Sequence, residues 1–317
     1  HGAGSGASRL ISGTLPPHHA LEEKIAEWKG TQAALSFANG YATAIGVLGA
    51  FLTKGDVVIL DKLCHASLID GARQSGATLR VYPHNDLNKL EDLLGHYRER
   101  LPGSSRLIIV TESIFSMDGD RAPLPEIINL AEQHHALLLL DEAHAVGILG
   151  SGGQGLAEEL GIQDRVTFQM GTLGKAIGSG GGYVAASRSW IDLLLNKARP
   201  FIYSTAPPPA QAAASLCGIE VITSSRGEAL RNRLWSNISR LAELLGKKPI
   251  SAIMPVILGT NHAALNASLA LLETGYLVPA IRFPTVPRGS ARLRITLSAE
   301  HTAESIEGLH TNLLKSS

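Results

Sequence analysis

The chain has 317 residues, 44% of them hydrophobic, enough to bury a large core and to form one large domain beside a smaller one. Its 28 basic residues balance 28 acidic ones, so no charge excess recommends nucleic acid or an anionic membrane as a partner. Cys64 and Cys217 make neither a disulfide framework nor a zinc site, the histidines form no His-Glu-x-x-His pattern, and no apolar run approaches a membrane span; no metal is expected, and a reducing cytoplasm is.

Residues 1–14 are rich in glycine and predict an active-site loop with no regular structure. Leu21 to Lys29 places Leu21, Ile25 and Trp28 at helical spacing, and Ala33 to Phe37 reads as a short strand. Asn39-Gly40-Tyr41 then turns the chain into an apolar helix, Ala42 to Leu52. A glycine turn before a helix offers backbone N–H groups to an anion, and it is equally what an ordinary strand-turn-helix junction contains. Asp56 to Leu60 predicts a buried strand, and His65-Ala66-Ser67 opens the following helix. Apolar strands over Thr78 to Tyr82, Leu107 to Thr111 and Leu137 to Leu140 alternate with helical patterns, clearest over Leu87 to Arg100 and Leu124 to His135. That alternation predicts an α/β fold with a mostly parallel, doubly wound sheet.

In such a sheet, ligands bind at the carboxyl ends of the strands. The strand ending at Leu140 delivers Asp141 there and His144 three residues later, while the run from Arg165 to Met170 leads into Gly171-Thr172-Leu173-Gly174-Lys175-Ala176-Ile177-Gly178. A lysine on a tight bend between glycines has few directions open to it, and its small neighbours let a planar ligand lie against the backbone. A lysine for an imine, an aspartate for a protonated ring nitrogen and a histidine for a ring oxygen together suit pyridoxal 5'-phosphate. A Walker-type metal site at Asp141-Glu142 would need a P-loop, which is absent: Gln169 stands where glycine is required and Ala176 where serine or threonine is.

Glu112, just past its strand, faces the same crevice if the register holds. Ser116-Met117-Asp118-Gly119-Asp120 is turn chemistry. Gly150-Ser151-Gly152-Gly153-Gln154-Gly155 matches the dinucleotide fingerprint letter for letter but begins well beyond the preceding strand, and reads as a flexible loop near the site. Pro207-Pro208-Pro209 opens a helix through Ile222. Beyond Ser225 come an amphipathic helix, Leu230 to Leu245, and strands near Ile253 to Leu258 and Leu293 to Leu297 around a helix, Ala263 to Glu273. The expected division is a large domain over 1–224 and a small α+β domain over 225–317.

The chain resembles the α-oxoamine synthases, fold-type-I pyridoxal-phosphate enzymes, along its whole length. The likeness lies in Gly2-Ala3-Gly4-Ser5-Gly6 with Ser12-Gly13, His18-His19-Ala20-Leu21-Glu22, Asn39-Gly40-Tyr41, His65-Ala66-Ser67, Phe115-Ser116-Met117-Asp118-Gly119-Asp120, Asp141-Glu142-Ala143-His144, Thr172-Leu173-Gly174-Lys175 and Tyr203-Ser204-Thr205. Ala280-Ile281-Arg282-Phe283-Pro284-Thr285-Val286-Pro287 and Arg292-Leu293-Arg294 resemble the branch that joins L-alanine to a pimeloyl thioester in biotin biosynthesis. Condensation of glycine with an acetyl thioester is the nearest alternative, the acyl carrier being coenzyme A or a carrier protein. A non-enzymatic regulatory subunit would be expected to have lost Lys175 or Asp141, and both are present.

The resemblance implies roles for particular residues. Lys175 carries the cofactor and acts as base, Asp141 pairs with the ring nitrogen, His144 holds the ring oxygen, and His65 covers the ring and faces the substrate. Gly40, Tyr41 and Thr172 support the phosphate, and Ser116 lies near the ring. Ser204 and Thr205 reach the phosphate of a neighbouring subunit, which implies a homodimer with shared active sites. Arg282 takes the substrate carboxylate, and Thr285 is a substrate contact. The resemblance also implies a further segment before His1 and makes the stretch 246–250 short for the family.

Overall fold

The computed structural model describes residues 2–316; His1, with which the expected opening loop begins, and Ser317 lie outside the described residues. The chain forms two compact units. The first runs to Ser113 and resumes over Ala122–Ser225, and the second consists of Ile114–Arg121 and the chain from Arg226 onward.

In the first unit a seven-stranded sheet is built from β1 (Ala33–Phe37), β2 (Val57–Asp61), β3 (Thr78–Tyr82), β4 (Leu107–Glu112), β5 (Leu137–Asp141), β6 (Phe168–Thr172) and β7 (Gly182–Ala186), in the order β1-β7-β6-β5-β4-β2-β3. The strands from β2 to β6 pair in parallel, as the doubly wound α/β reading requires. The departure is β7, antiparallel to both β1 and β6. Only Tyr183 and Val184 carry a strand preference in this five-residue stretch, and it begins at Gly182, where a side chain would meet the backbone of Asn39. β6 starts at Phe168, not Arg165, since Gln163–Arg165 forms a 3-10 turn, and it continues to Thr172.

Among the described residues, nine helices surround this sheet: α1 (Pro16–Lys29), α2 (Gly40–Phe51), α3 (Ala66–Gln74), α4 (Leu87–Arg100), α5 (Leu124–Gln133), α6 (Leu156–Glu159), α7 (Arg188–Lys197), α8 (Arg199–Ile202) and α9 (Pro209–Thr223). The central strands are continuous apolar runs because both sheet faces are covered. Leu48 and Phe51 of α2, Leu68 of α3 and Leu194 of α7 join Val58, Val110 and Phe168 in one core. Ile25 and Trp28 of α1 and Ile219 of α9 join Leu173, Tyr183 and Ala185 in another.

The opening segment is more ordered than its glycines suggest. Arg9–Gly13 forms a π-helical turn, a correction to the expectation of no regular structure. The turn is anchored because the buried Arg9 guanidinium pairs with Glu22 at 2.8 Å and donates to Ser36 Oγ at 3.1 Å. Gly13 closes it with an N–H to Ser8 O bond of 2.9 Å, at a place where a side chain would overlap the Ala7 carbonyl. Ser8 also bridges to Thr205, and Ala206 N–H donates to Ala7 O, so the segment is tied to the Tyr203-Ser204-Thr205 stretch.

The second unit contains α10 (Ser225–Leu244), α11 (Asn261–Glu273), α12 (Ala303–Ser316) and an antiparallel sheet of β8 (Ile253–Gly259), β9 (Ala280–Ile281) and β10 (Ala291–Thr296), ordered β8-β10-β9. Two arginines of β10 secure the Ile114–Arg121 turn: Arg292 pairs with Asp118 at 2.5 Å, and Arg294 Nε donates to Ser116 O at 2.6 Å.

Candidate active site

Glu112, Asp141 and Thr172, the last residues of β4, β5 and β6, line a cleft of about 240 Å³ at the carboxyl ends of these strands. Gly40, Tyr41, His65, His144 and Lys175 line it as well, so seven of the residues singled out from the sequence converge here, together with Glu112. Ser67, Ala143, Met170 and Gly171 complete it without having been anticipated. Each lies within two positions of a chosen residue, and the end of β6 at Thr172 is the signal that would have brought Met170 and Gly171 into view.

Each side chain has a local reason for its place. Lys175 follows β6 by three residues in a loop closed by Leu173 N–H to Gly181 O, 3.0 Å, and Gly178 N–H to Lys175 O, 3.0 Å. Its Nζ lies 3.0 Å from His144 Nε2, within hydrogen-bond distance. Thr172 Oγ1 donates to Gly181 O at 3.1 Å and accepts from Gly174 N–H at 3.2 Å, which fixes the near end of the same loop. His65 caps α3: its Nδ1 accepts the Ser67 N–H at 3.2 Å and lies 2.8 Å from Ser67 Oγ.

Asn39 caps α2 by accepting the Ala42 N–H at 2.8 Å. Gly40 and Tyr41 occupy the first helical positions, where amides lack an intrahelical acceptor and the helix dipole favours an anion. Tyr41 is exposed, and its hydroxyl donates to Asp70 at 2.9 Å, which pushes the phenol above its ordinary pKa.

Two acids dominate the cleft floor. Burial pushes the Asp141 carboxyl up, while the Ala143 N–H it accepts at 2.9 Å and the Lys175 charge pull it back. Burial and the neighbouring Asp141 push Glu112 well above the usual carboxylate range, against the His65 N–H that Glu112 accepts. Glu142 is fully buried and points elsewhere, accepting the Leu156 and Ala157 N–H groups at 3.0 Å each and so capping α6.

The remaining candidates lie outside this lining. Ser204 and Thr205 are exposed on the first unit. Ser116 is buried in the Ile114–Arg121 turn of the second unit, and Arg282 and Thr285 are exposed there. The 150–155 loop is pinned and not flexible. Glu158 accepts the N–H groups of Gly152 at 2.7 Å and Gln154 at 2.8 Å, Lys29 Nζ donates to Gln154 O at 2.6 Å, and Trp28 Nε1 donates to Gly152 O at 3.0 Å. Among the described residues, no His, Cys, Asp and Glu cluster suits a metal ion, and no helix is long and apolar enough to cross a membrane.

The arrangement fits a flat ligand that is anionic at one end and cationic at the other: helix amides on one side, and on the other buried carboxyls of the kind that persist only when paired. Known proteins agree. The 8-amino-7-oxononanoate synthase of Anaeromyxobacter dehalogenans is 49% identical over 312 residues, covering 97% of this chain and 77% of that protein. Among solved structures, a serine palmitoyltransferase from S. paucimobilis with a bound PLP–myriocin aldimine superposes with a TM-score of 0.94 at 32% identity, covering 99% of this chain and 80% of that one. An 8-amino-7-oxononanoate synthase from Francisella tularensis gives 0.82 at 27% identity, covering 95% and 87%. The aminotransferase class I and II family model matches residues 2–313, and the chain belongs to that family.

Proposed function

We propose that this chain is a pyridoxal-phosphate-dependent acyltransferase that condenses L-alanine with a pimeloyl thioester, releasing carbon dioxide and the thiol and forming 8-amino-7-oxononanoate for biotin biosynthesis. The observation that carries the reading is the convergence of Lys175, His144, Asp141 and His65 on one cleft in a chain so similar to 8-amino-7-oxononanoate synthase. The fold is shared with serine palmitoyltransferase and does not choose the substrates, so the sequence likeness carries that choice.

Bound in the cleft, pyridoxal 5'-phosphate supplies an aldehyde that reacts with amines and a ring that draws electrons from the substrate carbon. Lys175 would hold the aldehyde carbon of the bound cofactor, and its amine is the group placed to take the proton from the substrate Cα and return one there. Asp141 keeps the ring nitrogen protonated, gaining the cation its burial calls for. His144 donates to the ring oxygen and keeps the Lys175 amine in place. The Gly40 and Tyr41 amides and the Thr172 hydroxyl hold the phosphate, and His65 covers the ring. Ser116 lies near the ring and Thr285 contacts the substrate, while Arg282 binds the substrate carboxylate in a two-pronged manner, as guanidinium does.

Exposed Ser204 and Thr205 serve the phosphate of a second subunit, in a cytoplasmic homodimer with shared sites. Their position outside the chain's own cleft lining supports this. The test is an absorbance titration of the protein with pyridoxal phosphate, then with L-alanine or glycine, and finally with pimeloyl-CoA. A Lys175-dependent band that responds to L-alanine, with carbon dioxide released on adding pimeloyl-CoA, is expected. Release only with glycine and acetyl-CoA would transfer the assignment to the acetyl branch.

A further inference from the structure

The chemistry above leaves Glu112 without a task. We propose that Glu112 is a positioning residue: by accepting the backbone N–H of His65 it holds the start of α3, and with it the His65 ring, in place at the cleft. The proposal rests on the reading of the cleft as a pyridoxal-phosphate site.

The geometry supports it from both ends. Glu112 is the last residue of β4, and its backbone is fixed in the ladder as the Cα partner of Asp141. Its carboxyl therefore projects from a rigid element into the cleft, where Glu112 is 2% exposed and its Oε1 accepts the His65 N–H. At the other end, His65 is an extended residue, φ −55° and ψ 145°, and its amide precedes the helix without an intrahelical acceptor. Its ring is held at Nδ1 by Ser67. Glu112 thus fixes the backbone while Ser67 fixes the ring rotation, and the two restraints together leave His65 one orientation. Burial and the Asp141 carboxylate favour the neutral acid at Glu112. What the position needs is then an acceptor oxygen of that length and not a charge, and glutamine supplies one.

A double-mutant cycle tests the inference, read as the affinity for pyridoxal phosphate from the Lys175-dependent absorbance and as KM for the amino acid. Glu112→Ala is expected to weaken cofactor affinity about tenfold and to raise KM more than it lowers kcat, whereas Glu112→Gln stays within about twofold of wild type. In a His65→Ala background, where there is no ring to place, Glu112→Ala should cost less than about twofold. If Glu112→Ala does not fold, Glu112→Asp, too short to reach the amide, takes its place with the same expectation. Equal losses in both backgrounds, or wild-type affinity in Glu112→Ala, would overturn the proposal. A wild-type protein with no Lys175-dependent band overturns the cofactor reading itself, and no Glu112 variant can produce that result.

Discussion

Glu112 and Asp141 end neighbouring parallel strands as Cα partners, so two buried carboxyl groups share one cleft floor beside Lys175. Both are held above their ordinary values, chiefly by burial. The folded chain then binds more protons than the unfolded one over the range between, so stability falls as pH rises through it. The contribution is full below the unfolded value of about 4 and declines toward the raised folded values.

The cofactor-free protein is therefore expected to lose thermal stability as pH rises above the unfolded carboxyl value of about 4, and Glu112→Gln to flatten that decline. Loading with pyridoxal phosphate should flatten it as well, because a protonated ring nitrogen compensates Asp141. Thermal unfolding of both proteins across this range decides the matter: a wild-type-minus-Gln difference that does not change with pH would show that Glu112 does not titrate there.

Lys175→Ala removes the amine 3.0 Å from His144 Nε2. Borohydride reduction of the loaded wild type should add the mass of the reduced cofactor to the peptide containing Lys175, and the variant should show no such adduct. Turnover should drop by about 10²–10⁴-fold, the scale of a lost general base. An adduct on another lysine in the wild type would move the assignment.

The site was legible in the sequence wherever a strand ended in chemistry. The apolar runs before Asp141 and Glu112 announce buried parallel strands, and their first charged residue must then stand at the carboxyl end. Lys175 followed the same logic even though β6 begins three residues later than its apolar pattern. What stayed hidden depends on long-range contacts that no local pattern records. β7 starts where Gly182, lacking a side chain, passes the Asn39 backbone, and the Arg9 turn exists because a buried guanidinium meets Glu22. The Glu112 contact with His65 spans 47 positions, and only the strand order brings the two together.

Glu142 adjoins Asp141 in sequence but has a different task, so replacing it should separate stability from chemistry. Glu142→Ala leaves the amides of Leu156 and Ala157 without their acceptor and deprives the buried Lys29 of a nearby negative charge. A loss of about 2–4 kcal/mol in urea unfolding is expected, with cofactor affinity at low temperature changed by less than about threefold. A larger fall in affinity than in stability would give Glu142 a direct part in the site.

Arg282 lies on an exposed segment of the second unit, where a guanidinium is solvated unless a ligand takes it up. If it binds the substrate carboxylate in ground state and transition state alike, Arg282→Ala removes uniform binding energy. That raises KM for the amino acid by about 10–100-fold while kcat stays within a fewfold. Arg282→Lys keeps the charge but loses the paired N–H geometry, and should recover only part of the affinity. Steady-state kinetics with saturating pimeloyl-CoA separate the cases. A fall in kcat at unchanged KM would mean that Arg282 acts on the transition state, and unchanged constants would leave the carboxylate to another residue.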